Sequence, residues 1–294
     1  MTRSSPGLPR LVYFGTPAMA VPPLEALVAA GFAVSCVVTR IDKRRGRGGE
    51  LVPSPVKAAA LRLGLRVVHS VDEAIVVARS SGAELGVVVA FGQLIKPDAL
   101  AALPMVNLHF SLLPRWRGAA PVERALLAGD TLTGVCLMQL DEGLDTGPIH
   151  AVVEVPIGAD ETGASLRSRL VEVGTALLVD QLTVGLAAPV GQVGDATYAG
   201  KLAPSDLRLD WLRPAVERHR IVRLGGAWTT LRGKRLKVLE ADLVDPAGSG
   251  DTLDGDLAGG LRLRVVQPEG RAAMQFAAFS NGARLMPGEP LGRD

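Results

Sequence analysis

Cysteine is nearly absent: the 294 residues contain two, Cys36 and Cys136, each inside an apolar run where a small buried thiol is expected. With no CxxC pair and no His/Cys cluster, the sequence offers no metal site, and none is expected. Long apolar stretches are missing as well. No segment reaches the roughly 18 uninterrupted apolar residues of a membrane span, and the opening MTRSSPGLPR lacks the apolar run of a secretory signal, so a cytoplasmic protein without membrane contact is expected. The nucleotide-binding glycine patterns are missing too. Gly15 follows the first apolar run, but Thr16 and Pro17 come next, so the G-x-G-x-x-G spacing fails, and GxxxxGK[ST] occurs nowhere. Gly15 therefore reads as a tight strand-to-helix turn and GRGG (46–49) as a loop rather than a phosphate cradle. Neither an internal repeat nor a long low-complexity segment is found.

What is present fits a globular chain long enough for one large or two medium domains. Hydrophobic residues make up 48% and charged residues 21%, so a sizeable core can be buried. The net charge of +2 hides an uneven distribution. Residues 39–57 carry Arg40, Lys43, Arg44, Arg45, Arg47 and Lys57 against Asp42 and Glu50, residues 201–240 carry ten Lys or Arg against four acids, and 241–294 are net acidic. Two separated basic regions suit a polyanionic partner, although on charge alone solvated surface is the stronger reading at this point.

Short apolar runs alternate with helical patterns over the first two thirds of the chain, the signature of a parallel sheet wrapped by helices. LVYFG (11–15), FAVSCVVT (32–39), LGVVVA (85–90), MVNLHF (105–110) and GVCLMQL (134–140) predict strands. PPLEALVAAG, closing at Gly31, predicts a helix with early prolines, and Ser54 and Pro55 are good N-cap and N1 residues for a helix ending at Gly64. AAPVERALLAG (119–129) and a longer stretch over 162–187 predict two more. The fold class is thus α/β, a doubly wound open sheet, and such sheets bind ligands beyond the carboxyl ends of their strands. Residues 188–205, rich in Gly, Ala and Pro without periodicity, read as a linker. Beyond it, an amphipathic helix near 210–223 and short alternating runs such as TTLRGKRLKVLEADLV and LRLRVVQ predict a small antiparallel barrel.

The stretch NLHFSLLPRWRGAAP (107–121) places polar side chains where a buried strand should end. Residues i and i+2 of a strand share a face, so Asn107 and His109 should project together toward the crevice, with Ser111 near them. An amide and an imidazolium aimed at one point suit a developing oxyanion, since both donate hydrogen bonds. The later DEGLDTGP supplies Asp145 between Gly143 and Gly147, which allow a tight excursion back to His109. A carboxylate there would raise the histidine pKa, orient the ring and help remove a proton from an attacking amine. With no nucleophilic Ser or Cys in evidence, the substrate would supply the nucleophile, which points to direct acyl transfer. Taken singly, each residue also has a structural reading: a satisfied histidine, a capping asparagine, a solvated acidic loop. Trp116 and Arg117 either pack or line the entrance.

NLHFSLLPRWRGAAP with GLDTGP resembles the folate-dependent formyltransferases, most closely those that act on tRNA. FGTP (14–17), GRGGELVPSPVK (46–57), VVVAFGQLI (87–95), ALLAGD, ETG (161–163) and KLAPSDLRLDW extend the resemblance over nearly the whole chain. It implies a Rossmann-like, mostly parallel sheet over 1–187 as catalytic domain, a linker over 188–205, and an OB-like tRNA-binding barrel over 206–294. It further implies 10-formyltetrahydrofolate as formyl donor and co-substrate, and the α-amino group of methionine on initiator tRNA as acceptor; a monomer is the default expectation. Asn107, His109 and Asp145 would be catalytic, Ser111, Leu112, Leu113 and Pro114 would contact the folate, and Arg40, Lys43, Arg44, Arg45 and Arg47 would reach the tRNA.

The chain departs from the family pattern in three places. Arg40-Ile41-Asp42 followed by Lys43-Arg44 stands where QPD and Arg-Pro are frequent, and Lys lacks the planar fork of Arg. Only Trp228 remains of an NPWP-like segment, here Gly225-Gly226-Ala227-Trp228. The C-terminus is short, which would trim a last strand. The competing readings are a formyltransferase for an amino sugar nucleotide or small amine, a non-catalytic RNA-binding relative, and a formyl-folate hydrolase.

Overall fold

The structure, a computed structural model, describes residues 7–45 and 49–293, which fall into two compact units. The first holds the described residues up to Pro121 together with Leu132–Pro156 and Arg167–Gly200; the second holds Val122–Thr131, Ile157–Leu166 and the residues from Lys201 onward.

In the first unit β1 (Leu11–Gly15), α1 (Val21–Ala29) and β2 (Val34–Val38) form where the apolar runs predict them. A short hairpin follows, β3 (Lys43–Arg45) and β4 (Glu50–Val52). Next comes α2 (Pro55–Arg62), where the Ser54 hydroxyl accepts the Lys57 N–H at 3.0 Å as an N-cap should. β5 (Val67–Val68), α3 (Val71–Ser81), β6 (Leu85–Val89), α4 (Pro97–Ala102) and β7 (Met105–His109) complete the parallel part. The chain continues through β8 (Arg117–Gly118), α5 (Pro121–Ala128), which beyond Pro121 is counted with the second unit, β9 (Leu132–Gln139), β10 (Ile149–Pro156), α6 (Gly163–Val184), which is counted with the first unit from Arg167, and β11 (Tyr198–Ala199).

The seven-stranded sheet runs β10-β9-β7-β6-β1-β2-β5, parallel from β5 to β7 and antiparallel at β9 and β10. Central strands are covered on both faces, which is why β1 is apolar and fully buried from Leu11 to Phe14. Burying each such side chain contributes about 1.5–3 kcal/mol. The strand order reverses between β1 and β6, so the crevice of an open sheet lies at the carboxyl ends of the strands next to β7. Helix α6 lies close on this sheet at Gly174, where a Cβ would come within 3.2 Å of both Val135 and Leu108. Residues 190–199 are tied into the unit: Val190 bridges Ile149, and β11 pairs in parallel with β8.

In the second unit the helix predicted over 210–223 starts later, as α7 (Ala215–Leu224). Pro214 explains the delay, because a proline disfavours helical backbone in the residue before it and has no N–H to donate. The sheet that follows contains β12 (Trp228–Leu231), β13 (Lys234–Leu243), β14 (Leu253–Asp254), β15 (Leu257–Ala258), β16 (Leu261–Pro268) and β17 (Met274–Gln275), before α8 (Phe276–Ala283). These strands pair with one another antiparallel, in the order β12-β13-β16-β15-β14 with β17 on β16, and Arg208 adds a parallel bridge to Trp228. The chain end then links the two ends of that order, Leu291 bridging Leu231 and Pro290 bridging Thr252, which curls the sheet into the expected small barrel. Its core gathers Trp211, Leu236, Val238, Leu261, Val266 and Phe276. The short C-terminus therefore still reaches the barrel and closes it.

Candidate active site

β7 ends in the alternation that its sequence requires. Val106 and Leu108 are buried on one face, and Asn107 and His109 share the other, opposite Met138 and Cys136 of β9. Asn107 is half-buried, and among the described residues its amide has no hydrogen-bond partner in the protein. His109 is buried, 5% exposed.

The DEGLDTGP loop joins β9 to β10 and brings Asp145 to His109, with Oδ2 3.7 Å from Nδ1. That distance is electrostatic contact rather than a hydrogen bond. Gly147 makes this possible by close approach: a Cβ there would lie 1.9 Å from the Gln139 carbonyl oxygen, so any side chain would push the loop off β9. The left-handed backbone falls not on a glycine but on Asp145 itself, with φ 51°. The Asp145 carboxylate accepts the Gly118 N–H at 2.7 Å, which fixes it against the segment after Pro114.

The other ring nitrogen of His109, Nε2, lies 3.0 Å from the Trp116 carbonyl. A carbonyl only accepts, so Nε2 carries a proton and a neutral ring presents its lone pair on Nδ1, toward Asp145. The protonated ring would satisfy both neighbours. Burial holds the imidazole below its ordinary 6.5, while the Asp145 charge and the Trp116 carbonyl pull it upward. Trp116 has φ 62°, another left-handed residue, and its N–H donates to the Thr197 hydroxyl at 2.9 Å. The Arg117 guanidinium donates to the Gln192 side chain.

The Ser111–Pro114 segment leads directly out of β7. Ser111 is fully buried and its hydroxyl donates to the Arg115 carbonyl at 2.6 Å, so that side chain fixes the turn. Leu113 packs with Cys136, Met138 and Ile149, and Leu112 lies over Gly134, where a Cβ would come within 2.4 Å of it. Both thiols are buried and unpaired, and burial pushes Cys36 and Cys136 up to about 11, which keeps them protonated.

Of the basic residues, Lys43 and Arg44 are exposed on the β3–β4 hairpin, whose base is held by Lys57 donating to both carboxylate oxygens of Asp42 at 2.8–2.9 Å. Arg44 also donates to the Gly49 carbonyl at 3.3 Å. Arg45 pairs with Glu50 through the backbone ladder, and Arg47 lies outside the described residues. Arg40 differs: it is half-buried, and its Nη1 is buried without a hydrogen-bond partner. Among the described residues no group of three His, Cys, Asp or Glu side chains is placed to hold a metal ion, and no helix is long and apolar enough to cross a membrane.

Two matches to described families cover most of the chain: "Formyl transferase" over residues 10–182 and "Formyl transferase, C-terminal domain" over residues 201–284. The methionyl-tRNA formyltransferase of Roseobacter denitrificans is 43% identical over 298 residues, spanning 95% of this chain and 97% of that one. That of Dinoroseobacter shibae is 44% identical over 295 residues, spanning 94% and 98%. Among solved structures, an N-formyltransferase from Helicobacter canadensis, in complex with folinic acid and dTDP-3-aminofucose, superposes with a TM-score of 0.65 at 17% identity, over 88% of this chain and 99% of that one. At that identity the likeness is one of fold.

Proposed function

The chain belongs to the methionyl-tRNA formyltransferase family, and from that membership we propose how its residues divide the reaction. The protein transfers the formyl group of 10-formyltetrahydrofolate to the α-amino group of methionine on initiator methionyl-tRNA. The amine nitrogen forms a C–N bond to the formyl carbon, the bond from that carbon to the folate nitrogen breaks as the tetrahedral oxyanion collapses, and the folate nitrogen leaves as an amine carrying the proton that the attacking amine has given up.

Asn107 and His109 are the donors to the formyl oxygen as negative charge develops on it. The half-buried Asn107 amide, without a protein partner among the described residues, has N–H groups available for that purpose. His109 brings a proton on Nε2, held against the Trp116 carbonyl until a more negative oxygen competes for it. Asp145, beside Nδ1, favours the imidazolium that burial alone disfavours, and it takes up the amine proton through water. Leu112, Leu113 and Pro114 contact the folate from the carboxyl end of β7, and the buried Ser111 serves that contact by fixing their turn. The observation that carries this reading is the meeting of His109 and Asp145, distant in sequence, beside the unpartnered Asn107 amide.

Arg40, Lys43, Arg44, Arg45 and Arg47 follow the acceptor end of the tRNA, supported by the exposure of Lys43 and Arg44 and by the Asp42–Lys57 tether beneath them. Residues 1–187 act as the catalytic domain, 188–205 as the connection, and the barrel of 206–294 grips the tRNA backbone. Since Asn107, His109 and Asp145 come from one chain, a monomer suffices, and an enzyme of translation initiation works in the cytoplasm. The test is formylation by the purified protein with 10-formyltetrahydrofolate and charged initiator tRNA, with uncharged initiator and charged elongator tRNAs as controls. Product confined to the charged initiator supports the reading; formyl-donor hydrolysis without tRNA formylation overturns it.

A further inference from the structure

We propose that Gln192 is a positioning residue that sets where Asp145 stands beside His109; this rests on the catalytic reading of those two residues. The Gln192 carboxamide uses its whole hydrogen-bonding capacity. Its Oε1 accepts from Arg117 Nε at 3.1 Å and Nη2 at 2.6 Å, and its Nε2 donates to the carbonyls of Asp145 and Gly147, both at 2.8 Å. Chemistry fixes the orientation of the amide. A guanidinium only donates and carbonyls only accept, so the flipped amide would set like against like at all four hydrogen bonds.

One side chain thereby ties together the two segments that contact His109. Arg117 lies next to Trp116, whose carbonyl receives His109 Nε2, and next to Gly118, whose N–H holds the Asp145 carboxylate. Asp145 has a left-handed backbone, uncommon outside glycine although aspartate tolerates it better than most residues, and Gln192 grips its carbonyl. Gln192 is itself anchored on both sides, by the Val190–Ile149 bridge and by Thr197, whose hydroxyl accepts the Trp116 N–H. Without Gln192 the Asp145 carboxylate keeps the Gly118 N–H, but the loop loses the two main-chain hydrogen bonds that hold it at Asp145 and Gly147, and misplacement near 1 Å costs reactions of this kind up to about 10²-fold in rate.

The experiment is single-turnover formylation at saturating 10-formyltetrahydrofolate and methionyl-tRNA, with circular dichroism and thermal midpoint recorded for each variant. Gln192→Ala removes both halves of the fork. Gln192→Glu keeps two acceptors for Arg117 but turns a carboxylate toward the two carbonyls, and it serves alone should the alanine variant not fold. Both are expected to lower the rate constant by about tenfold or more while KM for either substrate moves by less than about threefold, the pattern of a lost transition-state interaction. A purely structural role would move the midpoint and leave that constant unchanged.

In an Asp145→Asn background Gln192→Ala should add less than about twofold, because its effect passes through the carboxylate already removed. The proposal is overturned if Gln192→Glu or Gln192→Ala keeps the wild-type constant, or if Gln192→Ala costs the same factor in both backgrounds. If Asp145→Asn itself leaves the rate unchanged, the catalytic reading fails and the proposal fails with it. That outcome is distinct from a slow Asp145→Asn beside a fast Gln192→Ala.

Discussion

Replacing Asp145 by asparagine changes one thing in the site with little change of shape. The amide oxygen of the variant can still accept the Gly118 N–H that the carboxylate now takes at 2.7 Å, so the loop keeps its anchor. The charge beside Nδ1 is lost. At 3.7 Å a carboxylate and an imidazolium attract by about 4 kcal/mol at an effective dielectric of about 20. Both side chains are largely buried, so screening by solvent is weak. Taking between half and all of that attraction as lost in the transition state gives roughly 2–4 kcal/mol, or about 30- to 1000-fold in rate. The upper part of that range overlaps the roughly 10²–10⁴ expected for general acid–base participation. The assay is single-turnover formylation at saturating donor and methionyl-tRNA, with the thermal midpoint expected to move by less than about 3 °C. A rate within about threefold of wild type in a well-folded variant would refute the assignment of Asp145.

Two further outcomes follow from the same geometry. Alanine at Lys43 and Arg44 should weaken tRNA binding and flatten the slope of log affinity against log salt by about 0.7–0.9 for each phosphate no longer neutralised; an unchanged slope would make these exposed cations plain solvated surface. His109 also gives stability a pH dependence. Its folded pKa lies below the ordinary 6.5, so as pH falls past that value the unfolded chain binds a proton that the folded protein resists, and stability declines until the folded pKa is reached. His109→Gln should make urea midpoints fall less steeply from pH 7.5 to about 5.5. Part of the slope should remain, since burial lowers His219 as well; an identical slope would contradict the placement of His109.

The Asn107 and His109 pair was legible because period two is a local property: once β7 is a strand, the two must share a face. Ser54 as a cap and the doubly wound sheet were legible for similar reasons, the first resting on short-range chemistry and the second on the alternation of apolar runs with helical patterns. Asp145 was only half legible. The glycines around it signalled a tight loop, but its approach to His109 depends on the Gln139 carbonyl under Gly147 and on hydrogen bonds from Gly118 and Gln192. No window of sequence contains those interactions. Gln192 left no signal at all: it lies in a Gly- and Pro-rich stretch with no periodicity, and its role arises from two loops elsewhere in the chain. The exposed edge strand β10, the β3–β4 hairpin, and α3 and α4 were not picked out either. The barrel was legible in its alternating runs, whereas its closure through Pro290 and Leu291 is non-local.

The most direct test of the central claim is single-turnover formylation of charged initiator tRNA by wild-type protein, His109→Ala and Asn107→Ala, side by side and with the fold of each verified. If Asn107 and His109 carry the reaction, the wild type formylates rapidly, with a loss of about 10²–10³ for Asn107→Ala and of about 10²–10⁴ for His109→Ala. Near wild-type turnover by a folded His109→Ala variant would contradict it.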